Sequence, residues 1–369
     1  MTYLNTFKIA FLLFPIVAFL VTIPFILQQY HKYGSINKLR TLIIYSFILY
    51  LMTTYFLVIL PLPDRETVLN MPPLHPQLIP FKFVINFLKE TPFIWNKPST
   101  YLLAMKNASF YTVIFNVFMT IPFGMYLRYY FKCDLKKTIK INFLLSLFFE
   151  FTQYTGLYFI YPRAYRLFDV DDLIINTLGG YLGYILMGCF TKILPTRQSI
   201  DDKTFESSKN VSGLRRLTSF FIDVTIYLIL IGLISIFTNF NKYLDYLLIF
   251  LYFVIMPTIW DGKTIGRNFV NIKLSFPNNS FFHFLFRTIS FILYYNIPLI
   301  IITSASSIIT FFNINATYKI AVYCILLLFT FMYYLVNLFL ILNNHQLFYN
   351  QITKTTYVST LKNNKNTTK

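Results

Sequence analysis

The sequence predicts an all-α, polytopic integral membrane protein of about nine transmembrane helices. Of its 369 residues, 56% are hydrophobic and only 12% charged, against roughly a quarter charged in soluble domains. Mean hydropathy is +0.57, and the apolar residues gather into runs of about twenty, the length a helix needs to cross a hydrocarbon core. A net charge of +18 would point to nucleic acid in a soluble chain. Here the cations fall between the apolar runs and at their ends, so topology accounts for them and no nucleic-acid partner is expected.

The first run, 7–27, is broken by Pro15 and Pro24 and lacks an Ala-x-Ala cleavage site. It reads as a first span rather than a removed signal peptide. A second span near 41–60 ends at Pro61-Leu62-Pro63 and leads into a Pro-rich connection of 61–106, of a length that is usually functional or partly re-entrant. Spans follow at 108–131, 138–160 and 173–190, then a polar linker over 192–214. A second membrane module has spans at 217–238, 244–260, 290–312 and 318–342. Between its second and third spans, 261–288 is expected to lie amphipathically on the inner face. Phe281, Phe282, Phe284 and Phe286 would sit at the interface, with Arg267 and Lys273 towards anionic headgroups. The tail, 359–369, is polar and expected to be disordered. Counting Lys and Arg on alternate sides places 22 with the loops of one side and 10 with the other. The positive-inside rule then puts the N-terminus outside and the C-terminus in the cytoplasm.

One stretch concentrates the polar residues. Between Ser146 and Tyr184 lie Glu150, Gln153, Arg163, Arg166, Asp169, Asp171, Asp172 and Asn176, including four of the chain's fourteen acids. An ionised side chain at the centre of a membrane helix costs about 2.5–3.5 kcal/mol on insertion scales, so such groups face protein or water and often mark function. Glu150 and Gln153 share a helix face. Asp172, Asn176, Gly179 or Gly180, and Gly183 line one face of the fifth span, whose small residues suit a tight hairpin with the fourth. Asp171 and Asp172 stand where a carboxylate caps free N–H groups. A purely structural reading is available for each: Asp172 as a cap, Arg166 with Asp169 as an ion pair, Asn176 as an interhelical hydrogen bond.

The pattern of Glu150 and Gln153, then Arg166-x-x-Asp169-x-Asp171-Asp172, then Asn176-Thr177-x-Gly179-Gly180-x-x-Gly183 resembles the VanZ-like family, whose namesake is a teicoplanin-resistance protein. Gln77-Leu78-Ile79-Pro80-Phe81 is similar to that family's Asn-Leu-Ile-Pro-Phe element, with Gln77 in the Asn position. Asn116 followed by Pro122-Phe123-Gly124 is similar to another. The resemblance covers about 40–190 and places a VanZ-like domain at 1–191. It implies a bacterial cytoplasmic-membrane protein with an envelope role tied to glycopeptide tolerance. The site it implies is outward-facing, built from Glu150, Gln153, Arg166, Asp169, Asp171, Asp172, Asn176, Asn116 and Gln77.

In the second module, Arg215 and Arg216 stand at a helix entrance with Asp223 about two turns inside. Gly262-Lys263-Thr264-Ile265-Gly266-Arg267 matches a Gly-x-Thr-x-Gly-Lys-like element of the RDD family, named for one Arg and two Asp residues. The segment that family writes Leu-His-Asp falls at Phe348-Tyr349-Asn350, so the second carboxylate is replaced by Asn350. The resemblance implies an RDD-like domain at 215–358 with Arg215, Arg216, Asp223 and Asn350 as its site, and an alternative function in cation or proton transport. An ion pair between Asp223 and Arg287 is the structural alternative. Gly262-Lys263-Thr264 is not a nucleotide loop, because a P-loop needs Gly five residues before its second Gly and position 257 is Pro.

Three scattered cysteines and four isolated histidines offer neither a disulfide framework nor a metal set, so no metal or cofactor is expected. No catalytic motif is recognisable and no catalytic residue is assigned. The expected partners are membrane lipids and a glycopeptide antibiotic or lipid-linked cell-wall precursor. A membrane enzyme acting on such a precursor is a further alternative.

Overall fold

The computed structural model describes residues 3–238, 241–277, 280–311 and 315–361; most of the tail expected to be disordered lies outside them. Long helices dominate. In order they are α1 (Tyr3–Tyr33), α2 (Lys38–Ile59), α3 (Lys82–Glu90), α4 (Ala108–Tyr129), α5 (Leu135–Tyr154), α6 (Val170–Phe190), α7 (Gly213–Phe237), α8 (Lys242–Ile259), α9 (Phe281–Phe311) and α10 (Ala316–Leu342). α8 passes through a π-helical turn at Leu251–Ile255. Among the described residues, eight of these helices are long and apolar enough to cross a membrane. The chain is therefore a multi-pass, all-α membrane protein.

The expected ninth span, α5, falls short on composition rather than length. Its twenty residues rise about 30 Å, but it opens with Lys136, Lys137 and Lys140 and buries Asn142, Ser146, Glu150 and Gln153. Its apolar deficit is the price of the site it carries. It also stops at Tyr154, earlier than expected, because Gly156 to Phe159 all take positive φ.

Large apolar side chains point outward, with Phe11, Leu12, Phe19 and Leu20 each about 70% exposed. Such exposure would be a liability in water and suits contact with lipid.

The chain divides into two compact units, and the division falls within α1. Unit 1 takes Met1–Val21 and Lys38–Ile200; unit 2 takes Thr22–Asn37 and Asp201–Lys369. Part of the segment read as a linker is helical, Arg197–Ser208.

In unit 1, α6 packs along α4 and also against α5. The small residues of α6 serve both neighbours: Gly180 meets Asn142 of α5, as the hairpin expectation has it, while Gly179 and Gly183 turn to α4. A Cβ on Gly183 would run into the Ile121 carbonyl, one on Gly179 into Val117, and one on Gly124 into the Gly180 carbonyl. The approach is backbone to backbone. α4 starts at Asn107, whose side chain accepts from the Ser109 N–H at 2.9 Å, and α5 at Asp134, which accepts from Lys137 N–H at 2.7 Å.

In unit 2 the segment expected as a surface amphipathic stretch is folded into the core. It forms a helical turn, Ile265–Phe269, and then β1 (Ile272–Ser275), which pairs antiparallel with β2 (Thr356–Ser359). Val270, Ile272 and Leu274 are fully buried. Arg267, expected at the headgroups, is only 6% exposed. Phe282 and Phe286 are exposed as expected, but Phe284 is buried against Val254 and Leu274.

Candidate functional site

Seven of the nine residues expected to form the outer site line one polar cavity of about 540 Å³ in unit 1. α5 contributes Glu150 and Gln153, α4 contributes Asn116, and α6 contributes Asp172 and Asn176. Arg166 and Asp169 come from the segment leading into α6. Three carboxylates therefore share the cavity with one guanidinium, and none of them forms a salt bridge with it among the described residues.

Each carboxylate is held by neutral donors instead. Glu150, 3% exposed, accepts the Asp169 backbone N–H at Oε2, 2.8 Å. Asp169 is the N-cap of α6 and accepts the Asp171 N–H at 2.8 Å. Asp172 accepts Asn116 Nδ2 at 2.8 Å, so it bridges α6 to α4 rather than capping its own helix. Burial pushes the Asp169 carboxyl above its ordinary pKa, and the negative charge of Asp171 adds to that.

Arg166 does not pair with Asp169. Its guanidinium donates to the carbonyls of Val58 (2.8 Å) and Leu60 (3.2 Å) at the end of α2. Gln153 donates to the same Val58 carbonyl at 2.8 Å. A cation and an amide thus satisfy the open carbonyls at a helix C-terminus, where positive charge is favoured.

The two expected site residues outside the cavity hold its frame. Asp171 accepts the backbone N–H groups of Phe81 at 2.6 Å and Phe83 at 2.8 Å, and so caps α3 from another segment. Phe81 takes φ of 63° to present those groups. Gln77 forms a parallel bridge with Asp169: its N–H donates to Phe168 O at 2.8 Å, and Val170 N–H donates to its carbonyl at 3.0 Å. Its side chain closes on Ile79, donating to that carbonyl at 2.7 Å and accepting its N–H at 2.8 Å. The Pro-rich connection is thus pinned to the start of α6.

Sequence reasoning missed the buried network beneath the cavity. Asn176 donates to Ser146 Oγ at 2.9 Å, while its carbonyl accepts from Thr120 Oγ1 at 2.8 Å and from Asn142 Nδ2. Ser146 in turn donates to the Asp172 carbonyl at 3.2 Å. The signal was a four-residue polar spacing on three helices: Asn142, Ser146, Glu150 on α5; Asn116, Thr120 on α4; Asp172, Asn176 on α6.

In unit 2 the four expected residues separate. Arg215 is completely buried and donates to the carbonyls of Ser208, Val270 and Asn271, and to Ser359 Oγ, at 2.7–3.2 Å. Asp223 does not pair with Arg287. It accepts Tyr252 OH at 2.7 Å, Thr264 Oγ1 at 2.6 Å and the Gly266 N–H at 2.8 Å. Arg216, Asp223 and Asn350 line a separate cavity of about 490 Å³. The Gly-x-Thr-x-Gly spacing has a physical basis here. Gly262 takes φ of +78°, Thr264 and Gly266 supply donors to Asp223, and a Cβ on Gly266 would strike Ser219 O.

No curated protein and no solved structure matches the chain. A family model described as VanZ/LLP1 matches residues 47–191, the stretch from α2 to the end of α6 that holds all nine outer-site residues. Residues 47–191 are VanZ-like.

Proposed function

We propose that this chain is an envelope protein of the bacterial cytoplasmic membrane that raises tolerance to teicoplanin-type glycopeptides through the unit 1 cavity, which faces outward. The observation that carries the reading is the cavity itself, where Glu150, Asp169 and Asp172 meet only Arg166 as a formal cation. The match of 47–191 to VanZ/LLP1 supports the same reading. Acceptors in excess over cations, held on three helices, suit an amine- or hydroxyl-bearing ligand. A glycopeptide or a lipid-linked cell-wall precursor carries such groups.

The test is teicoplanin susceptibility of a sensitive bacterial host expressing the wild type, Glu150→Gln or Asp172→Asn at matched membrane abundance. Tolerance raised by the wild type and lost in both variants supports the reading. Equal tolerance in all three sinks it.

We read unit 2 as RDD-like, with support from the arrangement of Gly262, Thr264 and Gly266 around Asp223. Asp223 already accepts three hydrogen bonds, and Asn350 does not titrate, which weighs against a proton-carrying pair there.

A further inference from the structure

The unit 2 cavity has the opposite character to the first. Three guanidiniums line it, from Arg216, Arg267 and Arg287, and its one carboxylate is Asp223. Asp223 is saturated by the neutral donors Tyr252, Thr264 and Gly266, and no salt bridge joins it to any of the three arginines among the described residues. Arg267 and Arg287 are 6% and 7% exposed. Among the described residues, the Nε of Arg287 and of Arg216, and the Oδ1 of Asn350, have no hydrogen-bond partner. The other hydrogen bonds of the three arginines go to neutral acceptors: Arg216 donates to the Ile341 and His345 carbonyls at 3.3–3.4 Å, Arg267 to the Gly262 carbonyl at 3.3 Å and Arg287 to the Tyr357 hydroxyl. Buried positive charge without an opposite charge is costly, so a cluster of this kind calls for an anion.

Tyr357 reports the same field. Burial alone would raise its phenol, yet Arg287, Arg267 and Arg216 together hold it below the ordinary value, with Arg287 Nη2 donating to its oxygen at 2.9 Å. Arg267 is pushed down to about 10 by burial and by the neighbouring Arg287.

The remainder of the cavity is apolar. From Arg216 its wall follows α7 through Phe220 and Val224 to Leu228, a rise of about 18 Å along one helix. Phe221 and Leu228 are more than half exposed on the outer face of that helix, so the apolar end lies beside the surface that meets lipid. A cationic end joined to a long apolar channel matches an anionic amphiphile.

We propose that unit 2 binds an anionic phospholipid, its phosphate held by Arg216, Arg267 and Arg287 and an acyl chain lying along Val224 and Leu228. The site is independent of the unit 1 cavity and of the tolerance assigned to it. Guanidinium groups bind phosphate through paired, charge-assisted hydrogen bonds, and loss of one such group weakens binding by roughly ten- to a hundredfold.

The experiment uses the full chain in non-ionic detergent, titrated with phosphatidylglycerol, phosphatidylcholine or inorganic phosphate, with thermal unfolding and native mass spectrometry as readouts. Phosphatidylglycerol is expected to be retained and to raise the unfolding temperature, with little effect from the other two. Arg287→Gln and Arg216→Gln are expected to weaken that binding at least about tenfold. Val224→Trp, which keeps every charge but fills the apolar channel, is expected to weaken it as well. Arg216 is partly exposed, so its variant serves should Arg287→Gln not fold. Equal stabilisation by phosphatidylcholine removes the anionic specificity, and the same shift with inorganic phosphate removes the lipid. Phosphatidylglycerol binding that is absent, or unchanged in the folded variants, overturns the proposal.

Discussion

The two cavities are built from the same rare ingredient, charged side chains in a chain dominated by apolar helices, and they reach opposite electrostatics. In unit 1 the acids line the space and the one arginine is spent on the carbonyls that close α2. In unit 2 the acid is spent on Tyr252, Thr264 and Gly266, and the arginines line the space. The fold hydrogen-bonds groups of both signs in each cavity, so the charge a cavity presents is set by which sign is in excess on its wall, three carboxylates to one guanidinium in unit 1 and three guanidiniums to one carboxylate in unit 2. A count of acids and bases along each span does not reveal it.

The sharpest way to break this contrast is to remove the group that unit 2 consumes. Asp223→Ala leaves three buried donors without an acceptor and is expected to cost on the order of 3–5 kcal/mol, whereas Asp223→Asn keeps one acceptor and costs less. Thermal unfolding in detergent separates the two variants. If Asp223→Ala is neutral, the carboxylate is not the anchor described.

In unit 1 the corresponding anchor is Asp171. Asp171→Ala is expected to cost about 1.5–3 kcal/mol through two charge-assisted hydrogen bonds. Faster amide exchange should be confined to Phe81, Phe83 and the start of α3. Exchange that rises equally through α4 and α6 would show that Asp171 supports the whole unit instead.

A smaller loss, about 1 kcal/mol, is expected for Gln153→Leu, which removes one hydrogen bond to Val58 while Arg166 keeps its own. The double variant with Arg166→Gln should lose more than the sum of the singles, because the Val58 carbonyl is then left with neither donor.

The subtlest effect is on pH. Asp169 is half-buried and its folded-state pKa lies above 3.8, its ordinary value. Between those two values the folded state binds more protons than the unfolded one. Stability from this group is then greatest below 3.8 and falls as pH rises through the folded pKa. Asp169→Asn keeps an oxygen for the Asp171 N–H and should flatten that slope. An unchanged slope would assign the dependence to another acid.

Much of this was legible in the sequence. Apolar runs gave the helices, since length and composition suffice for a span, and the Glu150 to Asn176 stretch gave six residues that, with Asn116, do meet around one cavity. α5 was legible as a helix, but its apolar deficit became intelligible only with Asn142 and Ser146 facing Asn176. The roles inside the site were hidden because they depend on partners distant in sequence. Asp171 bonds to Phe81 and Phe83, Arg166 to Val58, and Glu150 to a backbone N–H nineteen residues on. The folding of Arg267 into unit 2 was hidden for a like reason, since β1 acquires its partner strand only at Thr356.

The central claim is that tolerance resides in the carboxylate cavity and not in the arginine cavity. It is tested most directly by teicoplanin susceptibility of one sensitive host carrying the wild type, Glu150→Gln or Arg216→Gln, with membrane amounts equalised. The account predicts raised tolerance with the wild type and with Arg216→Gln, and loss of it with Glu150→Gln. Tolerance that survives Glu150→Gln, or that disappears with Arg216→Gln alone, would contradict it.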